Sequence, residues 1–277
     1  MRILNLENET RKIIARRGPF SILEYEKDAS VSPAWAEAEY FMSKMNVRRR
    51  QVIANLDGKN RVIAQAGAMQ WMSGSVKLSS GIKGVGDLLG KMVKGAVTKE
   101  SAIKPEYEGV GVLALEPTYK YLLLEDVEEW GSGMTIEDGM FLACENTVKN
   151  SVVHRKSASS AMLGGEGFFN LSLSGHGIAV LESNVPESEL VCIDLENEEL
   201  RIDGNLAVCW SSGLEFTVER SGKSLMGSAI SGEGLVNVYR GTGRVLMAPV
   251  TPTSSLHAAT NTVEAKASAK NSNTLGK

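Results

Sequence analysis

The sequence predicts an all-β protein whose body is three diverged repeats, and three observations predict it. First, one motif occurs twice. Gly165-Glu166-Gly167 and Gly232-Glu233-Gly234 each open an apolar strand containing Asn, then a Gly-x-Gly turn, then a second apolar strand ending at Leu181 or Met247. Second, two families of strands recur at a near-constant step. Segments starting at Gly67, Gly139 and Gly204 are spaced by 72 and 65 residues, and those starting at Gly111, Gly177 and Gly243 by 66 and 66. Self-similarity at a fixed step is the signature of a repeated supersecondary unit. Third, glycine is abundant (28) and proline scarce (7), which suits many tight turns between short strands.

In order, residues 1–45 form a lead-in segment. Phe20–Tyr25 reads as a strand. Ser32 to Met42 reads as a short helix, with Ser32 at the N-cap and Pro33 at the first helical position. The β domain spans 46–249, with repeats at 46–117, 118–183 and 186–249. Val47–Ala54, then Asp57-Gly58, then Arg61–Ala64 carries a hairpin signal. Phe141–Cys144 and Leu206–Cys209 are continuous apolar runs, as expected of strands covered on both faces by stacked β layers. Phe216 and Val218 alternate with Glu215, Thr217 and Glu219, as in a half-exposed strand. Repeat one carries an insertion at 81–97, read as a short amphipathic helix or hairpin. From Thr251 the apolar pattern stops, and 250–277 reads as a disordered tail.

Composition bounds the function classes. The 277 residues are 43% hydrophobic, enough for a substantial core. A formal net charge of -3 gives no global basic signature for nucleic acid, which is not expected as a partner. No run reaches the roughly 20 apolar residues of a membrane-spanning helix. Met1–Gly18 has no apolar signal core, so a cytoplasmic location is expected. Cys144, Cys192 and Cys209 are too few and too scattered for a disulfide framework or a zinc cluster, and are expected as buried free thiols.

Five patterns are candidates for chemistry. Glu166 and Glu233 sit at matching repeat positions and could act as paired carboxylates. Repeat position alone accounts for their recurrence, with each accepting backbone N–H bonds at the start of a strand. His154, His176 and His257 show no metal-ligand spacing, and no cupin-like cluster of His with a carboxylate is present. The glycines of 81–90 followed by Lys91 lack the Ser or Thr that a phosphate loop needs, since Met92 stands there. Arg48, Arg49 and Arg50 could meet phosphates. With no aromatic interleaving, a charged solvent-facing strand edge is the reading preferred. Cys144, Cys209 and Met72 are read as sharing one repeat position, an apolar slot rather than a nucleophile. No catalytic, cofactor-binding or metal-ligating residue is assigned, and no cofactor is expected.

Three segments together resemble one family: the Gly-rich Leu88-Leu89-Gly90-Lys91 insertion after Trp71-Met72, the Gly139–Cys144 strand, and the two Gly-Glu-Gly strands ending in Val245-Leu246-Met247. They are similar to the "altered inheritance of mitochondria" family of bacterial and fungal proteins, grouped with the tryptophan-RNA-attenuator-like β fold. The resemblance is collinear from about 45 to 249. It implies an all-β, double-stranded-β-helix-like body that self-associates, and it carries over no catalytic residue. The expected function is therefore a non-enzymatic, self-associating binding or scaffold protein. One alternative is a peripheral membrane or protein-docking module using Lys83, Leu88, Leu89, Lys91, Met92 and Lys94. A second is a small-ligand binder or enzyme with a pocket at the repeat junctions.

Overall fold

A computed structural model describes residues 2–79, 104–154, 169–220 and 235–250. Within them are eighteen strands, one α-helix and three short 3₁₀ turns. The first sheet runs β1 (Arg11–Arg17), β2 (Phe20–Tyr25), β3 (Arg50–Asp57), β8 (Val110–Leu115), β5 (Met69–Gly74). The middle sheet runs β6 (Lys77–Ser79), β7 (Glu106–Glu108), β4 (Val62–Ala64), β11 (Phe141–Glu145), β14 (Ile178–Ser183), β9 (Tyr121–Asp126). The third runs β12 (Val148–His154), β13 (Phe169–Gly175), β10 (Met134–Ile136), β16 (Ala207–Ser211), β18 (Leu235–Met247), β15 (Val191–Asp203), with β17 (Glu215–Arg220) pairing the start of β18. All pairings are antiparallel, and the chain is all-β as its sequence predicts.

The three sheets stack. One core lies between the first and middle sheets and contains Phe20, Val52, Leu113, Leu142, Ala143 and Val180. A second lies between the middle and third sheets and contains Leu123, Phe141, Cys144, Leu181, Leu173 and Cys209. The middle sheet is thus covered on both faces, which is why Phe141–Cys144 is apolar without alternation. A third core on the far side of the third sheet holds Trp210, Phe216 and Tyr239, whose rings lie 5.1–5.3 Å apart.

One pairing plan recurs in all three sheets. β8, β14 and the C-terminal half of β18 each lie between two strands: β3 and β5, β9 and β11, β15 and β16 respectively. On the β5, β11 and β16 side, the register skips one residue at equivalent places: Gln70, Leu142 and Val208. A bulge puts two successive side chains on one face, so Leu142 and Ala143 both face the first sheet. The same registers place Cys144 opposite Ala179 and Trp210 opposite Val245, so Cys144 corresponds to Trp210. The expected equivalence of Cys144 with Cys209 is one residue out of step. The two thiols instead line the same core from opposite sheets.

Each unit also reaches into the following sheet. The β6–β7 hairpin and β4 begin the middle sheet, where β4 pairs β11. The β12–β13 hairpin and β10 begin the third, where β10 pairs β16. Asp57-Gly58 therefore closes no hairpin. Gly58, at φ 88°, turns the chain out of the first sheet, and β4 pairs in the middle one. β1 and β2 extend the first sheet beyond β3. The helix predicted after Ser32 is a 3₁₀ turn at Pro33–Trp35 running into α1 (Ala36–Lys44), with Ser32 extended at its N-cap.

Candidate functional site

The position of β5 in the pairing plan makes it the candidate. Its neighbour on one side is β8. Its other edge has no paired strand among the described residues, whereas β11 and β16 are paired there by β4 and β10. The side chains differ accordingly. Met69 and Met72 are 37% and 41% exposed, while the equivalent Phe141 and Ala207, and Cys144 and Trp210, are at most 5% exposed. Apolar residues thus persist at positions that are buried wherever the strand has its second neighbour. An uncapped apolar strand edge offers backbone donors and acceptors to another chain. Other uncovered apolar side chains lie on the turn and helix after Ser32. Trp35, Tyr40, Phe41 and Met45 are exposed, and α1 buries none of its residues. The helix is tethered by polar contacts: Tyr119 donates to Glu39, and Ser43 to the Glu26 carbonyl.

The charged groups singled out in the sequence take structural roles. Arg50 is 3% exposed, on an inner strand, and pairs with Glu24 at 2.7 Å. It also donates to the Asn46 and Arg48 carbonyls and stacks over Tyr121 at 4.3 Å. Arg48 pairs with the same Glu24, and Arg49 with Asp28 and Tyr119. The expected solvent-facing edge is corrected: a guanidinium with a matched carboxylate and carbonyl acceptors can be buried, and β3 has strands on both sides.

His176 does lie in the turn between Gly175 and Gly177, exposed beside Glu128. Cys144 and Cys209 are buried, and burial pushes their thiols up, Cys144 to about 12. Cys192 is exposed, contrary to expectation, because it lies on the outer strand β15. Where the middle and third sheets meet, Glu125 accepts from the Trp130 indole at 3.1 Å, and Arg244 lies over that ring. Burial raises the Glu125 carboxyl above its ordinary range, with the indole hydrogen bond opposing. Sequence reading missed Glu125, because nothing local marks a strand carboxylate that the next sheet will cover. Glu166, Glu233, His257, the insertion with Lys83, Leu88, Leu89, Lys91, Met92 and Lys94, and the tail from Thr251 lie outside the described residues. No group of three or more His, Cys, Asp or Glu side chains among the described residues is placed to share a metal ion.

Comparison with known proteins sets this geometry in a family. A family model described as "Mitochondrial biogenesis AIM24" matches residues 44–250. An uncharacterized protein of Streptococcus pyogenes serotype M6 is 27% identical over 198 residues, covering 69% of this chain and 77% of that protein. A crystal structure of a Streptococcus pyogenes protein superposes with a TM-score of 0.56 at 24% identity, covering 80% of this chain and 95% of that one. That likeness is one of fold.

Proposed function

The chain belongs to the mitochondrial biogenesis AIM24 family, and on that premise we propose that it is a non-enzymatic, self-associating binding or scaffold protein. One observation carries the reading: Met69 and Met72 stay exposed on a strand whose second edge has no partner among the described residues, where the equivalent side chains of β11 and β16 are buried. Fully burying a methionine side chain stabilises by about 1.5–3 kcal/mol. Met69 and Met72 are 37% and 41% exposed, so a second chain that covers what remains of both gains roughly 1–2 kcal/mol in all.

The test is analytical ultracentrifugation of the full chain across a micromolar concentration series. The expected result is a species larger than the monomer that dissociates on dilution. A single monomeric species throughout the series would refute the reading.

A further inference from the structure

We propose that the edge of β5 that has no partner among the described residues is completed by the C-terminal half of β15 from a second copy of this chain, head to tail. The inference rests on the self-association reading and names its interface. It starts from a joint that the chain makes twice within itself. β4 pairs β11 as Ala64↔Ala143, Ile63↔Cys144 and Val62↔Glu145. β10 pairs β16 as Ile136↔Cys209, Thr135↔Trp210 and Met134↔Ser211. In both joints the incoming strand is held from behind by a hairpin of its own unit: β4 by β7, and β10 by β13.

The third unit has the same incoming strand, and among the described residues no strand receives it. Val62 lies opposite Tyr107, and Met134 opposite Leu173. The third such pair is Leu200 opposite Tyr239, again 66 residues further along the hairpin strand (107, 173, 239). Leu200, Arg201 and Ile202 therefore stand where Val62, Ile63 and Ala64, and Met134, Thr135 and Ile136, stand in the earlier units. β15 bends to bring them there: its register against β18 shifts between Leu195 and Glu198, where Asn197 is at φ 59°. Behind them lies the hairpin of β17 and the first half of β18. Among the described residues β15 pairs only with β18, so its other edge is open.

Among the described residues, the third unit thus has a half-layer without a receiving strand, and the first has a receiving strand, β5, without a half-layer. The two fit in one register. Transferring the internal joints puts Ile202 opposite the partner subunit's Trp71, Arg201 opposite the partner subunit's Met72, and Leu200 opposite the partner subunit's Ser73. Ile202 is buried and Leu200 packs on the outer core of the third sheet, so the inward face of the joint is apolar, as in the two internal ones. On the outward face, Arg201 is held by Glu199 and Glu219. Its aliphatic stem can lie along the exposed thioether of the partner subunit's Met72. Glu198, Glu199 and Arg201 are charges that deter indiscriminate edge pairing, which makes the match selective. A joint between two different surfaces is heterologous, so copies add into a ring or a filament rather than a closed two-fold dimer.

The experiment uses the full chain in a Cys192→Ser background, which removes the exposed native thiol. Met72→Cys and Arg201→Cys proteins are oxidised separately and mixed. Residues directly opposite across antiparallel strands have Cβ atoms about 4.5–5.5 Å apart, within disulfide reach. The expected result is a disulfide-linked dimer in the mixture, absent from either protein alone and absent when Met69→Cys replaces Met72→Cys. Met72→Lys sets a like charge opposite Arg201 and removes the apolar contact, and should weaken assembly about fivefold or more. It should leave the unfolding midpoint of the dilute monomer unchanged. If the wild type is monomeric, the proposal falls together with the self-association reading. If the wild type assembles but Met72→Lys assembles equally well and the mixture does not cross-link, this interface is wrong and the broader reading survives. Cross-linking of Met72→Cys with itself would show two-fold edge pairing and would also overturn the proposal.

Discussion

Arg50→Met should be among the most damaging single substitutions in the chain. Arg50 joins four elements. Its guanidinium meets Glu24 of β2 at 2.7 Å, the Asn46 carbonyl after α1 at 3.1 Å and the Tyr121 ring of β9 at 4.3 Å, and it sits on β3. Removing one partner of a buried ion pair costs about 3–5 kcal/mol, because the other charge stays buried. Glu24 keeps Arg48 at 2.7 Å, and that arginine is 28% exposed. The cost therefore belongs near the low end, about 3 kcal/mol. For a chain of this size that corresponds to a fall in melting temperature of roughly 6–10 °C. Far-UV circular dichroism melts in low and high salt measure it, and the deficit should change little with salt because the pair is out of water. Arg48→Met should cost about 1 kcal/mol or less, since Arg50 remains on Glu24. In the double variant Glu24→Gln/Arg50→Met, the loss should fall short of the sum of the single losses. An Arg50→Met protein melting within about 2 °C of wild type, or strict additivity in the double variant, would refute the claim that this pair locks the N-terminal hairpin to the body.

Three further outcomes are expected. Gly111 is at φ 154°, and a Cβ there would lie 2.0 Å from the Ser73 carbonyl oxygen, whereas Gly67 at φ 82° has nothing within 4 Å. Gly67→Ala should cost about 1–2 kcal/mol in urea unfolding; Gly111→Ala should cost clearly more because a strand must move, and equal costs would count against the close approach of β5 and β8. Glu125 has a carboxyl raised by burial above the ordinary 4.5. Its contribution is fully present below that value and is lost as pH rises through the folded one. The advantage of Glu125→Gln over wild type should therefore grow from pH 4 to pH 7, and a flat difference would contradict the burial. Of the 3 cysteines, only Cys192 is exposed, so one thiol should react with an aromatic disulfide reagent in the native protein and the other two only on unfolding. Two or more fast thiols would be inconsistent with the stacked core.

Much of the fold was legible because burial leaves a local trace. The apolar run Phe141–Cys144 shows a strand with a sheet on each face, and in the structure the middle sheet is covered on both sides. The glycine-led strands repeat at 66 residues because Leu115, Leu181 and Met247 occupy the same place beside a bulged neighbour. The candidate site was legible only in part. Met69 and Met72 read as ordinary members of an apolar strand, and their exposure depends on whether a second strand pairs with β5, which none does among the described residues. Arg50 read as a surface charge, because its carboxylate partner lies 26 residues back on another strand (Glu24 to Arg50).

The amino-acid sequence by itself determined the β class, the repeating step and the strands that need two covered faces, since each follows from side-chain periodicity and glycine placement along a short stretch. Only the tertiary structure decided which strands are neighbours. It carried the Asp57-Gly58 turn between two sheets instead of closing a hairpin, moved the bulge register by one residue so that Cys144 matches Trp210, and left β5 and the end of β15 each with one edge unpaired among the described residues. The physical reason is that strand pairing is a contact between distant segments. A one-residue slip exchanges the two faces of a strand, and only the packed layers on either side select the register.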